Sequence, residues 1–433
     1  MNMRRATFLL IPCALILSLV SVAQSYLGTK TPYEPLQRAY TLPPAGYAPV
    51  YVNYVGRHGA RYLTKAGADV AVLEALQAAE KRNGLTEAGK RVMAAVEQIV
   101  AASKGNYENI TLLGAEEQAA IGERMLYNDG PAFRGRGLTV VTTWKKRTQQ
   151  SAEAFLRAFG KITGPRHDEQ AADSLDVALR FYDLSPAYLR YKKSALLKKS
   201  LDSLDKDVRT ARIAADVCGK VFTREYGGGA LEFVDNLYDC YCIAYSMGGE
   251  LRQAGYTGAT AVLGAVFSEA DLQWLDERSG AADFLEKGPG FDPLGLQVKV
   301  AAPLLVDFIR SSDKMAGDAV LRFTHAEAIA PFAALLGIKG ASSPAVSIFH
   351  YEEQWRAGAV IPLSANIQWV FYSNGRDRLV KVLLNEKEVE LPLKTGQWPY
   401  YRWEDVRRFY VGRLKKLGVG LGDDMRGYLK GLK

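Results

Sequence analysis

The feature that most constrains this chain is a short apolar run, Val50-Tyr51-Val52-Asn53-Tyr54-Val55, that leads directly into Gly56-Arg57-His58-Gly59-Ala60-Arg61-Tyr62. β-Branched and aromatic residues in so short a run predict a buried strand. A buried strand needs sheet neighbours, so the fold must bring one histidine and two arginines to a strand's end. Histidine is scarce here: His58, His167, His325 and His350 are the full set. An imidazole nitrogen is a nucleophile near neutral pH, two guanidiniums fork onto phosphate oxygens, and glycine lets backbone approach a bound group. The bland alternative is a core histidine beside surface arginines.

Around this strand the chain alternates between helix and strand patterns. Helical periodicity covers 66–103 and 114–127, with breaks at Asn83-Gly84 and Gly105-Asn106. A second strand is expected over 138–143, a helix over 147–159 and a third strand over 177–182. Ser185-Pro186 is a cap followed by proline and opens a helix to about residue 212, with another over 230–252. Gly288-Pro289-Gly290 marks a linker, followed by a helix over 293–312. A strand over 319–323 then enters Thr324-His325-Ala326-Glu327, and a helix runs on to Gly337. Strands over 367–372 and 379–384 flank Asn374-Gly375, a hairpin turn signal, and a further strand is expected over 389–393 before a helix over 403–417. With 433 residues and 48% hydrophobic content, the chain reads as an α/β domain over 24–164 and 301–433 carrying a mostly helical insertion over 165–300.

Three strand-to-helix junctions hold the candidate chemistry: Arg57-His58-Gly59-Ala60-Arg61, then Arg147, then His325-Ala326-Glu327. Open α/β sheets build sites beyond the carboxyl ends of their strands, where distant residues converge. A phosphate monoester needs positive donors for its oxygens, a nucleophile in line and an acid for the leaving oxygen. These junctions supply that set without a metal. Each piece alone has a duller reading: Arg147 as a surface residue opening a helix, His325 as a core histidine, Glu327 as the partner of Thr324 in a capping box.

Arg57-His58-Gly59-Ala60-Arg61 resembles the signature of the histidine phosphatases, and Tyr62 suits the branch of the multiple inositol-polyphosphate phosphatases and phytases. Leu27-Gly28-Thr29-Lys30-Thr31-Pro32-Tyr33, Arg180-Phe181-Tyr182-Asp183, Leu237-Tyr238-Asp239-Cys240 and Leu384-Asn385-Glu386-Lys387 are similar to patterns of that branch. His325-Ala326-Glu327 also fits it, where acid phosphatases and fungal phytases have His-Asp. The spacing in Arg147-Thr148-Gln149-Gln150-Ser151 suits the family's third arginine. Thr142-Thr143-Trp144-Lys145-Lys146 departs from the serine-rich stretch expected there, and Arg322 departs from an apolar strand. The resemblance implies a mixed open sheet flanked by helices and no cofactor. It implies His58 as the nucleophile that becomes phosphohistidine, held in its tautomer by a backbone partner. Arg57, Arg61, Arg147 and His325 would clamp the phosphoryl group, with Glu327 as the acid and then the base. The substrate implied is inositol hexakisphosphate and lower inositol polyphosphates; the alternative is a broad acid phosphatase acting on sugar phosphates or phosphoglycerates.

Charge and address narrow this further. Arg4-Arg5, an apolar span over 6–22 and small residues at Ser21-Val22-Ala23 predict a secretory signal over 1–23 and a periplasmic or secreted protein. The chain has 55 Lys and Arg against 47 Asp and Glu, and without 1–23 the basic count falls to 53. That surplus favours polyanions, and Lys192, Lys193, Lys198 and Lys199 form a basic helix face that is either solvated or one wall of a substrate pocket. Stacking motifs and arginine-rich repeats are missing, which argues against nucleic acid. No span after the leader is long and apolar enough for a membrane helix. Cys240 and Cys242 would point to opposite faces of a helix, and either could pair with Cys218 in an exported protein. No histidine or carboxylate stands at ligand spacing beside these cysteines, so no metal is expected.

Overall fold

The computed structural model describes residues 26–35, 39–160, 166–170 and 176–433, with 166–170 described by backbone alone; the expected leader over 1–23 lies outside the described residues. The strands are β1 (Ala48–Arg57), β2 (Leu138–Thr142), β3 (Arg166–Gln170), β4 (Ala319–Thr324), β5 (Asn366–Ser373), β6 (Arg378–Leu384), β7 (Lys387–Glu388) and β8 (Tyr400–Arg402). They form one mixed sheet in the order β3-β2-β4-β1-β5-β6-β7, with β8 also paired to β6.

The register positions the chemistry. β1 and β4 run parallel, with Gly56 opposite Phe323 and Arg57 opposite Thr324. His58 and His325 therefore leave the sheet side by side. β2 lies parallel on the other flank of β4, with Thr142 opposite Phe323, so the chain that carries Thr143 and Arg147 emerges at the same edge. β5 and β6 complete the sheet as an antiparallel hairpin about Asn374-Gly375, where Gly375 takes φ +87°, a left-handed conformation that glycine adopts without a Cβ clash.

Alternation along β1 feeds two cores. Val52 and Tyr54 join Phe155, Leu321 and Phe323 on one face, beneath the helices Leu112–Asp129 and Lys146–Leu156. Tyr51 and Val55 face Phe308, Phe332, Trp369 and Tyr410 on the other. Between them Asn53 donates to the Phe308 carbonyl at 3.0 Å and accepts from Arg322 Nη1 at 2.5 Å, while Arg322 Nε reaches Asp307 at 2.6 Å. The arginine that looked out of place in β4 is thus a hydrogen-bonded link between the sheet and the helix Ala302–Lys314. The second core continues without a break into the helices Ala68–Glu80, Glu87–Ser103, Val208–Val221, Ala230–Ser246 and Glu269–Glu286.

Several expectations change. The strand expected over 177–182 is a turn leading into the short helix Phe181–Leu184. The helix expected from Ser185 to 212 is three, Pro186–Tyr191, Ala195–Asp205 and Val208–Val221, because Ser194 and Asp207 cap new starts with their side chains. The break expected at Asn83-Gly84, by contrast, falls there: Ala68–Glu80 and Glu87–Ser103 are separate helices, and Asn83 takes φ +52°. The strand expected over 389–393 is absent: those residues are irregular, and a two-residue strand, Lys387–Glu388, ends just before them. Cys218, Cys240 and Cys242 are all buried free thiols, so neither possible bridge forms. No helix among the described residues is long and apolar enough to cross a membrane.

Candidate active site

The turn after β1 is set by a contact between two glycines. A Cβ on Gly59 would stand 2.4 Å from the Gly114 carbonyl oxygen, and one on Gly114 would stand 2.0 Å from that of Ala60. Gly59 therefore serves close packing against the first turn of Leu112–Asp129. That contact is a use of the glycine that the sequence reading did not foresee. One turn along that helix the buried Glu117 carboxylate accepts from the Ala60 N–H at 3.0 Å, the Tyr33 N–H at 2.9 Å and the Ser364 hydroxyl at 2.7 Å. Gln118 donates to the Arg57 carbonyl at 2.9 Å. The Gly59 N–H donates to Ser151 Oγ at 3.0 Å, and Ser151 donates to the Arg147 carbonyl at 2.7 Å. The loop of His58 and the helix of Arg147 are thereby fixed to each other.

His58 is buried, and its Nδ1 lies 2.9 Å from the Gly59 carbonyl oxygen. A carbonyl only accepts, so Nδ1 carries the proton and Nε2 presents its lone pair. Burial, then the charges of Arg57, Arg61, Arg147 and His325, push the His58 pKa well below 6.5. The ring is neutral and nucleophilic at any pH near neutral.

Three guanidiniums surround it. Arg57 Nη1 donates to the carbonyls of Thr29 at 2.7 Å and Ile361 at 2.6 Å, and Arg61 Nη1 donates to that of Tyr62 at 2.7 Å. Arg147 Nη1 stands 3.4 Å from Glu108. In each the Nε is buried with no protein partner, and burial with the fields of Arg147 and Arg57 lowers Arg61 to about 10. So much desolvated positive charge with unused donors suits a multiply charged anion.

His325 closes the cluster, its ring centroid 5.5 Å from that of His58. Glu327 lies in the first turn of Ala326–Leu336. The capping-box alternative fails, because Thr324 donates instead to the Leu179 carbonyl at 2.9 Å and the helix start has no side-chain cap. Burial would raise the Glu327 carboxyl, but Lys287, then His325, its own N–H and Arg57 outweigh it and hold the group well below the usual range. Lys287 Nζ sits 3.5 Å from Glu327 and 2.7 Å from Asp283. The Glu327 side chain keeps 39% of its accessibility, so water tempers these fields.

Of the four lysines, Lys192 lies over the Tyr188 ring at 5.4 Å and within electrostatic reach of Asp183, which also feels Glu327. Lys193, Lys198 and Lys199 are exposed, and Lys198 pairs with Asp202. Residues without an assigned role in the sequence reading also converge here. Arg180 pairs with Asp183, stacks on Tyr182 at 5.0 Å and has a buried unpartnered Nε. Its motif was visible, but its direction was not. Lys287 ends a helix and precedes what looked like a linker, and nothing in its sequence context marks it.

No family model matches the chain. Multiple inositol polyphosphate phosphatase 1 of Gallus gallus is 24% identical over 415 residues, spanning 85% of this chain and 87% of that protein. Among solved structures, the Bifidobacterium longum multiple inositol polyphosphate phosphatase in complex with inositol hexasulfate is similar with a TM-score of 0.77 at 23% identity, covering 88% of this chain and 97% of that one. The phytase from D. castellii matches with a TM-score of 0.68 at 16% identity, covering 90% and 85%.

Proposed function

We propose, for a chain that has the histidine-phosphatase fold and multiple inositol polyphosphate phosphatases as relatives along most of its length, that it hydrolyses inositol hexakisphosphate and lower inositol polyphosphates. The observation that carries this reading is a neutral His58, oriented by the Gly59 carbonyl, standing among three buried guanidiniums with His325 and Glu327 beside it.

In this reading His58 Nε2 attacks phosphorus while the ester P–O bond breaks. Arg57, Arg61, Arg147 and His325 hold the equatorial oxygens, and Glu327 gives its proton to the departing alkoxide. Water then attacks the phosphohistidine, Glu327 takes the water's proton, and phosphate leaves. Glu327 must be protonated for the first step although Lys287 and Arg57 favour its ionised form. A polyphosphorylated substrate brings the negative charge that restores the proton. A substrate with one phosphate brings less, which favours inositol polyphosphates over small phosphate esters. Lys192 and Arg180 are assigned to neighbouring phosphates, and the exposed Lys193, Lys198 and Lys199 to longer-range attraction.

The division into a phosphatase core over 24–164 and 301–433 and a helical insertion over 165–300 accompanies this proposal, with β3 as the insertion's contribution to the core sheet. Export follows from the leader-like sequence over 1–23. The test is phosphate release from inositol hexakisphosphate against a small aryl phosphate, with and without chelator. Faster turnover of the inositol substrate supports the reading, and equal or faster turnover of the aryl ester transfers it to a broad acid phosphatase.

A further inference from the structure

The hydrogen bonds around His325 determine where its proton sits. Thr148 Oγ1 lies 2.7 Å from the Lys145 carbonyl and 3.1 Å from that of Thr143. Two carbonyls only accept, so the Thr148 hydroxyl spends its single proton on one of them. Thr148 Oγ1 is also 2.9 Å from Thr143 Oγ1, and the proton of that contact then comes from Thr143. Thr143 Oγ1 now has only lone pairs left, and it meets His325 Nε2 at 3.1 Å. Nε2 must donate. His325 Nδ1 is buried and has no protein partner.

We infer that Thr143 is a positioning residue that fixes the tautomer of His325, so that in the free protein Nδ1 offers a lone pair, and the bound phosphoryl group arrives with a proton shared between its oxygen and Nδ1. The inference rests on the proposed phosphate site. It adds that phosphate is held as its monoanion, or as the dianion plus one proton taken from solvent. The charged groups facing His325 are Arg147 from its helix, Arg180 from the turn before Phe181–Leu184, Arg61 and His58 from the loop after β1, and Glu327 from its own helix. All but Glu327 are cationic or disfavour a cation, so the ring is neutral until an anion enters. Thr143 belongs to the segment that departs from the family's serine-rich pattern, and a β-branched hydroxyl holds one rotamer well.

The test is calorimetric binding of inorganic phosphate at pH 8 in two buffers of different ionisation enthalpy, which counts protons. It is made on the Glu327→Gln chain so that this carboxyl cannot contribute. About one proton is taken up per phosphate, and affinity falls about tenfold per pH unit where the dianion predominates. Thr143→Val removes the acceptor of the Nε2 proton and frees the ring to hold its proton on Nδ1, so proton uptake drops toward zero. Thr143→Ser keeps it. A purely structural role would weaken binding at every pH with uptake unchanged, and that result overturns the inference, as does no proton uptake by the Thr143 chain, even where the valine variant does not fold. Absence of any phosphate binding would instead overturn the site reading itself.

Discussion

At the scale of residues, the cluster sets the proposed nucleophile, His58, apart from the proposed acid, Glu327, by charge. His58 is kept unprotonated by burial and by Arg57, Arg61 and Arg147. The limb of kcat/KM that rises as His58 loses its proton is therefore expected below pH 6.5. Arg61→Ala removes a cation that opposes the protonated ring, so this limb should move to higher pH; a limb that stays in place would dissociate it from His58. Glu327→Gln should slow hydrolysis of alkyl phosphates by about 10²–10⁴-fold and that of aryl phosphates with acidic leaving groups far less. Equal loss on both would remove Glu327 from leaving-group protonation. Lys287→Met takes away the nearest cation to Glu327, 3.5 Å from its Oε1. The carboxyl then holds its proton to higher pH, and the descending limb should shift upward, read from pH profiles of the alkyl substrate.

At the scale of elements, parallel pairing of β1, β4 and β2 does most of the work, since it brings three chain-distant junctions to one sheet edge. Those junctions were legible because the sequence marks them: an apolar run, then a charged or histidine-bearing turn, then helical periodicity. His58, Arg57, Arg61, Arg147, His325 and Glu327 all occupy the strand or helix ends expected of them. Residues 177–182 misled because an apolar stretch with aromatic residues serves a buried turn as well as a strand, and tertiary packing decides between them. The break of one expected helix into three was written in Ser194 and Asp207, whose capping role shows only once their side chains are seen to accept from the following turn. The partners of Gly59 and Glu117 were illegible, because contacts between separate elements leave no local pattern. Gly59→Ala should cost about 1–3 kcal/mol of stability through the Gly114 clash, measured by denaturant unfolding. Stability within a few tenths of wild type would show that the two backbones can separate freely.

At the scale of the whole molecule, a basic chain presents its densest buried positive charge where the loops after β1, β2 and β4 meet. Association with a polyanion should therefore weaken as ionic strength rises, with kcat/KM for inositol hexakisphosphate falling more steeply than for an aryl phosphate carrying one phosphate. The proposed reaction depends on a covalent phosphoryl group on one imidazole. The direct measurement is rapid acid-free quenching during turnover of inositol hexakisphosphate, followed by peptide mass spectrometry. Phosphate is expected on His58 and on no peptide of the His58→Ala chain, which should lose activity by more than about a thousandfold. Turnover that persists in His58→Ala, or label that settles on another residue, would contradict it.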